Sequence, residues 1–582
     1  MQVIELDPSC HRGYEQKYAA LHGARRHAEA VEAFDTMLRK LEQSPDRRVR
    51  GESFSQDQLG HPCWLTCMIE LRSQYFDTRS TIRRIIDATI SPMPRVLIDT
   101  ATGRLRSKAQ QAEAFVALPI FNELVSSMTS KVDYARIWEE VKQFYRYVMF
   151  SHKWEDDEPL HQDVKHITVY ELEVSPTTAK LQSFCSLVGS LGFRWAWSDT
   201  CCIDKDNNVV LQESLVAMFS WYRGSSLTLI YLRGVSSESD EPGGLRWSVW
   251  NTRVWTYQEY MAAETVQFYT EDWKPYLGLT LWNHKESPTI VSEMEEASHV
   301  SPEQLAVLRP GLDRVREKLY LASTRQTSLV EDKAYSLLGV FNVAIPVIYG
   351  EGTRAVGRLL EHVLTGSGDV SILAWTGTAN DYNSCLPLDL TVYREVVPPH
   401  IPLMMETTEV DRIVAELRAS LPDLLPATTL YVRLNDLPPP SLVASRLRLP
   451  GIVSFVTKLV HISRPGLEEN LYLYRAATTL FGDVEIQTTC NVTTTNALYL
   501  VHPWIRPLLD QEFARAGTRL DTTVRALRLL ARLRQPFGAL LFEQVSRTEY
   551  KRVAADSWIV ARVREDVLLT DLIEGSCTID VQ

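Results

Sequence analysis

The chain has few cysteines, and their spacing matches no metal or disulfide framework. Nine cysteines are scattered over 582 residues, an odd count without a CxxC pair. This argues against zinc motifs and against a secreted disulfide scaffold, so we expect reduced thiols and no bound metal. The chain also lacks an apolar run near the roughly 20 residues that a membrane helix needs, and no membrane span is predicted.

Positive charge is also scarce, since the formal net charge is −12. Nucleic acids and anionic membranes are bound through basic faces, so neither is predicted as a partner. The opening "MQVIELDPSC" carries Glu5 and Asp7 where a secretion signal would be basic and then apolar. We therefore expect a cytoplasmic protein. Its 45% apolar and 23% charged residues predict a globular chain of several domains.

Residues 14–40 predict a pair of short helices. Apolar residues recur there at helical spacing: Tyr14, Tyr18, Leu21, Ala30, Val31, Phe34, Met37 and Leu38. The pair resembles a tetratricopeptide repeat, with Tyr14, Ala30 and Phe34 at its large, small and aromatic positions, and "VIELDPSC" resembles the tail of an earlier repeat. One repeat cannot bury its own face, so either further repeats are missing or the hairpin packs on neighbouring segments.

After a region of further helical patterns at 49–146, the pattern changes at residue 147. The apolar runs "YVMF", "FRWAW" and "LTLIYL" end in Ser151-His152, Ser198-Asp199 and Arg233-Gly234, with helical patterns such as "LQESLVAMFSWY" between them. Strands that alternate with helices predict a mainly parallel sheet. Ligands of such sheets bind outside the carboxyl ends of the strands, so the polar residues after each strand are candidates for contact.

The stretch "SDTCCIDKD" leaves two chemical alternatives open. Cys201 or Cys202 is a nucleophile if His152 and Asp199 stand beside it, and otherwise the cysteines only fill a strand-to-loop corner. A hard-metal alternative combines the acids listed last: "EDDE" at 155–158 with Asp199, Asp204 and Asp206. Their spacing matches no specified metal loop, and acids after strands also cap helices.

A third constellation is "SVWNTRVWTYQEYMAAE", residues 248–264. If a helix begins near Trp255, that ring and Glu259 lie one turn apart on one face. A carboxylate beside a tryptophan is partly desolvated, which raises its pKa and strengthens its contacts with hydroxyls or a developing cation. The alternative is a structural ion pair between Glu259 and Arg253.

Several motifs then follow one another in a specific order. They are "YVMFSHKW", "WAWSDTCCIDK", "LQESLVAMFSWYRGSSLTLIYL", "WNTRVWTYQE", "EDKAYSLLGVFNVAIPVIYGEG" and "DVSILAW". Over roughly residues 147–375 this order resembles a fungal heterokaryon-incompatibility (HET) domain and the segment that follows it. The chain departs from the family pattern at Val254, where glycine is usual, and at Tyr257, where leucine is usual.

The resemblance implies an effector of non-self recognition and programmed cell death. HET domains resemble TIR domains, which have a flavodoxin-like sheet, and some TIR domains cleave NAD at the nicotinamide–ribose bond with a glutamate that follows a tryptophan. By that analogy Glu259 is the candidate catalytic residue, with NAD as substrate and no resident cofactor. The predicted substrate-binding residues are Ser151, His152, Trp154, Asp199, Arg253 and Trp255.

We therefore predict a multidomain α/β and α+β protein. The expected segments are a tetratricopeptide-like hairpin at 1–48, a helical linker at 49–146, a TIR-like HET domain at 147–290, a helical extension at 291–380 and an α+β domain at 381–582. Two alternative functions stay open: a non-catalytic assembly domain that acts through protein partners, with self-association on activation, and a thiol hydrolase. Exposure of Glu259 at a pocket favours catalysis, whereas an ion pair between Glu259 and Arg253 favours the non-catalytic assembly domain.

Overall fold

The computed structural model describes residues 11–43, 78–126, 133–237, 242–298, 309–394, 407–421, 423–443, 445–462, 471–489, 491–492, 496–504, 521–564 and 566–582. The chain divides into two compact units. The first unit is Met1–Tyr231 with Ala263–Lys285, and the second is Leu232–Ala262 with Glu286–Gln582. The stretch "EDDE" and the polar residues that follow "YVMF" and "FRWAW" thus lie in the first unit, whereas Arg233, Arg253, Trp255 and Glu259 lie in the second.

The first unit combines a six-stranded sheet with helices. Its helices α1–α8 are His11–Gly23, His27–Glu42, Lys108–Val116, Pro119–Ser126, Tyr134–Phe144, His161–Val164, Pro176–Ser190 and Asn208–Gly224, and residues 78–90 are also helical. Its strands β1–β6 are Val96–Asp99, Arg104–Ser107, Tyr147–His152, Trp195–Trp197, Leu227–Leu232 and Val266–Thr270. Short 3₁₀ turns lie at Val169–Glu171, Tyr276–Gly278 and His284–Glu286.

The strand order in this sheet is β2-β1-β4-β3-β5-β6. Strand β3 pairs in parallel with both β4 and β5, whereas β1 pairs antiparallel with β4 and β2. All six residues of β3 and of β5 are buried, as expected for strands covered on both faces. The carboxyl ends of β3, β4 and β5 therefore meet at one edge, as the alternating pattern predicts.

The two helices on either side of β4 begin at residues suited to start a helix. Ser175 caps α7 by accepting a hydrogen bond from the Thr178 amide, and Pro176 follows at the first helical position. The Asn207 side chain caps α8 by accepting from the amides of Val209 and Val210. These caps fix the loops that lead from the carboxyl ends of β3 and β4.

The predicted N-terminal hairpin is present as α1 and α2, with Tyr18 and Phe34 buried and their ring centroids 5.1 Å apart. It packs on α4 of its own unit, because the Tyr18 hydroxyl donates to the Ser126 carbonyl at 2.6 Å. The hairpin thus buries its face on a neighbouring segment, the second of the two sequence alternatives. The proposed earlier repeat, "VIELDPSC", lies outside the described residues, and the tetratricopeptide resemblance stays a prediction.

The region at 49–146 is not wholly helical, because β1 and β2 form a hairpin within it. Its turn places Gly103 at φ +67°, and the Gly103 amide bonds the Asp99 carbonyl at 2.7 Å. A Cβ atom at Gly103 would stand 2.7 Å from the Tyr170 ring. The stretch "VLIDTATGRLRS" forms this hairpin, and the prediction of a helical linker at 49–146 missed it.

The second unit begins with the helical segment predicted after residue 290. Its helices α9–α14 are Val254–Ala262, Pro288–Ser298, Val315–Ser323, Asp332–Tyr335, Leu338–Phe341 and Arg354–Ser367, with 3₁₀ turns at Val249–Thr252, Val370–Leu373 and Leu390–Arg394. The later helices α15–α18 are Thr407–Ser420, Leu425–Asp436, Thr522–Leu533 and Leu569–Gly575.

The second unit ends in a nine-stranded sheet. Its strands β7–β15 are Ser441–Val443, Arg446–His461, Tyr472–Thr478, Val484–Thr488, Leu498–Pro503, Phe537–Gln544, Glu549–Val553, Ile559–Ala561 and Ser576–Val581. Strand β8 pairs with β11, and the pairing continues through β12, β13 and β15 back to β8. This closes a five-stranded barrel, and α15–α18 contribute to the apolar core beside it. The mixed α+β character predicted for 381–582 is therefore present.

None of the helices in the described part of the chain is long and apolar enough to cross a membrane.

Candidate functional site

Four of the seven predicted site residues lie at the carboxyl edge of the first unit's sheet. Ser151 and His152 are the last residues of β3, and both are buried. Trp154 follows in the next loop with 38% of its surface exposed, and Asp199 lies two residues beyond β4. The sheet edge thus brings together side chains that are far apart in the sequence.

A buried charged network surrounds His152. The Glu158 carboxylate lies 3.5 Å from His152 Nε2 and pairs with Lys180 on α7, and Lys180 also contacts Glu155 at 3.1 Å. Burial alone would raise the pKa of Glu158, but the hydrogen bond and charge of His152 and the charge of Lys180 outweigh it and lower the pKa to about 2. Glu158 is therefore ionised at neutral pH inside the fold.

The His152 ring is held by aromatic side chains as well as by Glu158. It stacks on Phe150 at 4.2 Å between centroids, and Phe150 in turn packs against Phe184 and Trp273. The Nδ1 atom of His152 is buried and has no hydrogen-bond partner among the described residues. The ring is thus oriented by a carboxylate at Nε2 and by aromatic stacking on its face.

Asp199 and Trp154 form a second pair at the same edge. Trp154 Nε1 donates to Asp199 Oδ2 at 2.6 Å, and Lys205 Nζ lies 3.4 Å from the centre of the Trp154 ring. Burial lowers the pKa of Lys205, while the negative charges of Asp199 and Glu158 act in the opposite direction. The shared influence of Glu158 links this pair electrostatically to the His152 network.

The cysteines at this edge are buried thiols. Cys201 and Cys202 are free and at most 4% exposed, and burial raises the pKa of Cys202 well above its ordinary value. The neighbour of His152 Nε2 is the Glu158 carboxylate at 3.5 Å, and His161 Nδ1 contacts the Cys201 carbonyl oxygen at 2.9 Å. A thiol nucleophile needs a lowered pKa and an adjacent base, so this arrangement favours the packing role.

Several acids of the metal alternative are engaged with protein groups, although a buried oxygen of Asp204 has no hydrogen-bond partner among the described residues. Glu155 and Glu158 contact Lys180, and Asp206 accepts from Gln162 at 2.9 Å. Among the residues that the structure describes, no three His, Cys, Asp or Glu side chains are grouped to hold a metal ion.

The other three predicted residues lie in the second unit, on or beside α9. Glu259 is only 6% exposed. Its charge acts on Arg325, itself 6% exposed: burial lowers the pKa of Arg325 to about 10, while Tyr257 and Glu259 act in the opposite direction. The carbonyl oxygen of Arg253 accepts a hydrogen bond from Arg325 at 3.0 Å. Glu259 is therefore a buried acid in an ionic environment.

Trp255 is anchored by a different residue. Its indole hydrogen-bonds the Asp332 carboxylate, which also accepts from Tyr349 at 2.9 Å and from Thr327 at 3.1 Å. Burial raises the pKa of Asp332, and these three hydrogen bonds oppose that effect. The aromatic residue predicted to bind a substrate is thus part of a hydrogen-bonded cluster.

Sequence reasoning missed Lys180, Arg325 and Asp332. Lys180 occupies an otherwise unremarkable helix, "TTAKLQSF", and no sequence signal marks its contact with Glu158. Asp332 lies within "EDKAYSLLG", which was recognised as a family motif without a role for the acid. A charged residue inside an otherwise apolar helical pattern is the available signal, since buried charges are usually paired.

Comparisons with known proteins match a family over the segment that contains His152, Glu158 and Lys180. The family model described as "Heterokaryon incompatibility protein (HET)" matches residues 147–245. Over 248 residues the chain is 30% identical to "Vegetative incompatibility protein HET-E-1" of Podospora anserina, a match that covers 40% of this chain and 17% of that protein. The chain therefore spans less than a fifth of the relative's length. No solved structure matches the chain significantly. Strands β3, β4 and β5, with the charged cluster at their carboxyl ends, thus lie within the segment of the chain that matches the HET family.

Proposed function

We propose that this protein is an effector of fungal non-self recognition whose HET domain triggers cell death. The observation that carries the proposal is the HET match over residues 147–245, which contains the whole sheet edge from β3 to β5. The name of the relative, a vegetative incompatibility protein, agrees with this role. A buried charge network is costly to assemble, so its presence at a sheet edge fits a functional region rather than simple packing.

The finer proposal is that killing proceeds through cleavage of NAD at the nicotinamide–ribose bond. Two observations support it. Taken in chain order, the parallel strands β3, β4 and β5 stand in the spatial order 2-1-3, the start of the flavodoxin-like order expected of a TIR-like sheet. Glu259 also lies in "VWTYQE", the motif position of the TIR glutamate. Cleavage passes through an oxocarbenium-like state, which an ionised carboxylate beside the ribose stabilises.

A second candidate is a domain that kills by assembling with protein partners. The burial of Glu259 at 6% exposure and the bond between Trp255 and Asp332 favour it, because both side chains are used inside the fold. In that case the motif residues maintain a surface for partners or for further copies of the chain, and no substrate is turned over.

One experiment distinguishes the two. The full chain, a Glu259→Gln variant and a Glu264→Gln variant are expressed in a fungal host, and cell viability and NAD content are followed together. Glu264 is exposed and close in sequence, so it is the matched control. If Glu259 is catalytic, NAD falls with the wild type and with Glu264→Gln but not with Glu259→Gln, because glutamine keeps the size and removes the charge.

Loss of viability without loss of NAD would reject the catalytic proposal and leave the assembly proposal in place. If no variant reduces viability when its trigger pathway is intact, the effector proposal itself is rejected. Circular dichroism of the purified variants checks that Glu259→Gln retains its fold.

A further inference from the structure

Arg325 is a buried cation in a place where sequence analysis assigned no role. It is 6% exposed, and the cost of removing a guanidinium from water must be offset by specific partners. It lies beyond residues 147–245, in the loop that precedes α12 of the second unit. A buried charge of this kind is expected to fix the position of the groups that it binds, which apolar packing alone does not specify.

The partners of Arg325 all belong to the "WNTRVWTYQE" segment. Its Nη1 donates to the Arg253 carbonyl at 3.0 Å and to Thr256 Oγ1 at 2.9 Å, and its Nη2 donates to Asn251 Oδ1 at 3.4 Å. The guanidinium carbon lies 5.4 Å from the centre of the Tyr257 ring. Arginine suits this position because its planar fork reaches several acceptors and also stacks on an aromatic face.

The chain on either side of Arg325 strengthens this attachment. The Val254 amide donates to the Gln326 carbonyl at 3.1 Å, and the Gln326 amide donates to the Thr252 carbonyl at 2.6 Å. Segment 325–332 therefore holds residues 251–257 through the backbone, the Arg325 fork and the Asp332–Trp255 hydrogen bond.

Glu259 lies on the helix that this arrangement holds. It lies three residues after Thr256 on that helix, a spacing that places both side chains on one face, and it is buried there. We propose that Arg325 is a positioning residue of this helix, so that the HET-motif helix with its Glu259 is held in place by the segment downstream of the matched domain. The inference goes beyond both proposed functions and holds for either of them.

The chain offers a matched control for a test. Arg316 is a half-buried arginine of the second unit, stacked at 5.2 Å on the Tyr393 ring, and it donates to the carbonyls of Ser371 and Ala374. Arg316 therefore has the same kind of ring and carbonyl partners, but these hydrogen bonds do not go to α9. Replacing either arginine by methionine removes hydrogen bonds to carbonyl oxygens.

The experiment is a double-mutant cycle on the full chain, read by the urea midpoint of unfolding. We expect Arg325→Met to lower the midpoint strongly, because it removes the hydrogen bonds to Asn251, Arg253 and Thr256. Thr256→Val should then cost less in the Arg325→Met background than in the Arg316→Met background, because the bond between Arg325 and Thr256 is already lost. Equal effects of Thr256→Val in both backgrounds would overturn the proposed contact.

Hydrogen exchange of residues 254–262 tests the positioning itself. Arg325→Met is expected to raise exchange in this helix by at least tenfold more than Arg316→Met does, and equal exchange in the two variants would contradict the inference (the tenfold figure corresponds to about 1.4 kcal/mol). If Arg325→Met does not fold, Arg325→Lys is used. Lysine keeps the charge and loses the fork, so exchange of residues 254–262 should still be faster in Arg325→Lys than in the wild type. Exchange equal to that of the wild type would overturn the proposal.

Discussion

At the scale of single residues, Glu158 is the most informative acid in the first unit. Its carboxylate is buried between His152 and Lys180, which lower its pKa from 4.5 to about 2 against the effect of burial. Because the folded pKa is below that of the unfolded chain, the ionised group stabilises the fold above pH 4.5. That stabilisation is lost as the pH falls from about 4.5 toward 2.

We therefore expect wild type and Glu158→Gln to differ most in stability near neutral pH and to converge as the pH falls through this window. Urea midpoints measured from pH 7 down to pH 3 check this. The matched control is Glu173→Gln, since Glu173 is exposed at the loop before α7. A difference between wild type and Glu158→Gln that stays constant with pH would contradict the assigned pKa.

Some residues of the candidate site could be predicted from a local sequence pattern. Others could not, because contacts between separate elements place them. Ser151, His152 and Asp199 were predictable because the end of an apolar run marks the end of a strand, and parallel strands end at one edge. Lys180 and Arg325 were not, because the groups that each contacts lie on other elements. Side-chain pairing between elements is set by packing, which no local pattern encodes.

At the scale of elements, β8 shows how one glycine permits a close approach of two strands. Strand β8 pairs with β11 and places Gly451 opposite Pro503. A Cβ atom at Gly451 would stand 2.7 Å from the His502 carbonyl oxygen, a backbone atom that cannot move without breaking the pair. Gly482, in contrast, has open space around it and no left-handed φ.

Gly451→Ala is thus expected to destabilise the barrel of the second unit by about 1–3 kcal/mol, the usual cost of forcing an extra carbon into a packed core. Gly482→Ala should change the free energy of unfolding by less than about 0.5 kcal/mol, as for surface substitutions. Denaturant unfolding of both variants measures the contrast. Similar losses from the two substitutions would show that the strand contact is not the cause.

The secondary-structure elements also show which features of the fold a sequence pattern can predict and which it cannot. The runs "YVMF", "LTLIYL", "LYLYRAATTLF" and "ALYLVHP" correspond to β3, β5, β9 and β11, because continuous apolar or alternating stretches bounded by turns specify strands locally. Barrel closure was not predictable, since it depends on pairing between β8 and β15, which are separated by much of the second unit. The β1–β2 hairpin was missed because helical patterns flank it.

At the scale of the whole molecule, the second compact unit includes a segment that interrupts the first unit in the sequence. Residues Leu232–Ala262 belong to the second unit, although they lie between β5 and β6 of the first unit's sheet. The predicted boundary of the HET domain at 290 follows the motifs of the family. The helix that carries Glu259 nevertheless obtains its contacts with Arg325, Gln326 and Asp332 from beyond that boundary.

This arrangement predicts how a shortened chain behaves. A fragment of residues 1–290 retains every residue of the first unit but lacks Arg325, Gln326 and Asp332. We expect its amides at 254–262 to exchange fast, because a nine-residue helix is marginal in water without tertiary contacts. Those of β3 and β5 should stay protected and serve as the internal control. Hydrogen exchange of the fragment beside the full chain measures both.

If the fragment keeps α9 protected, the downstream segment is not what holds it, and the positioning role of Arg325 falls with it. If α9 is unprotected and the fragment still kills cells, an ordered Glu259 is not required for killing. The search for the active group would then move to the sheet edge of the first unit, where His152, Glu158 and Lys180 remain intact in the fragment. If α9 is unprotected and killing is lost, the effector needs both units, since the HET motif is completed by residues that lie outside the matched domain.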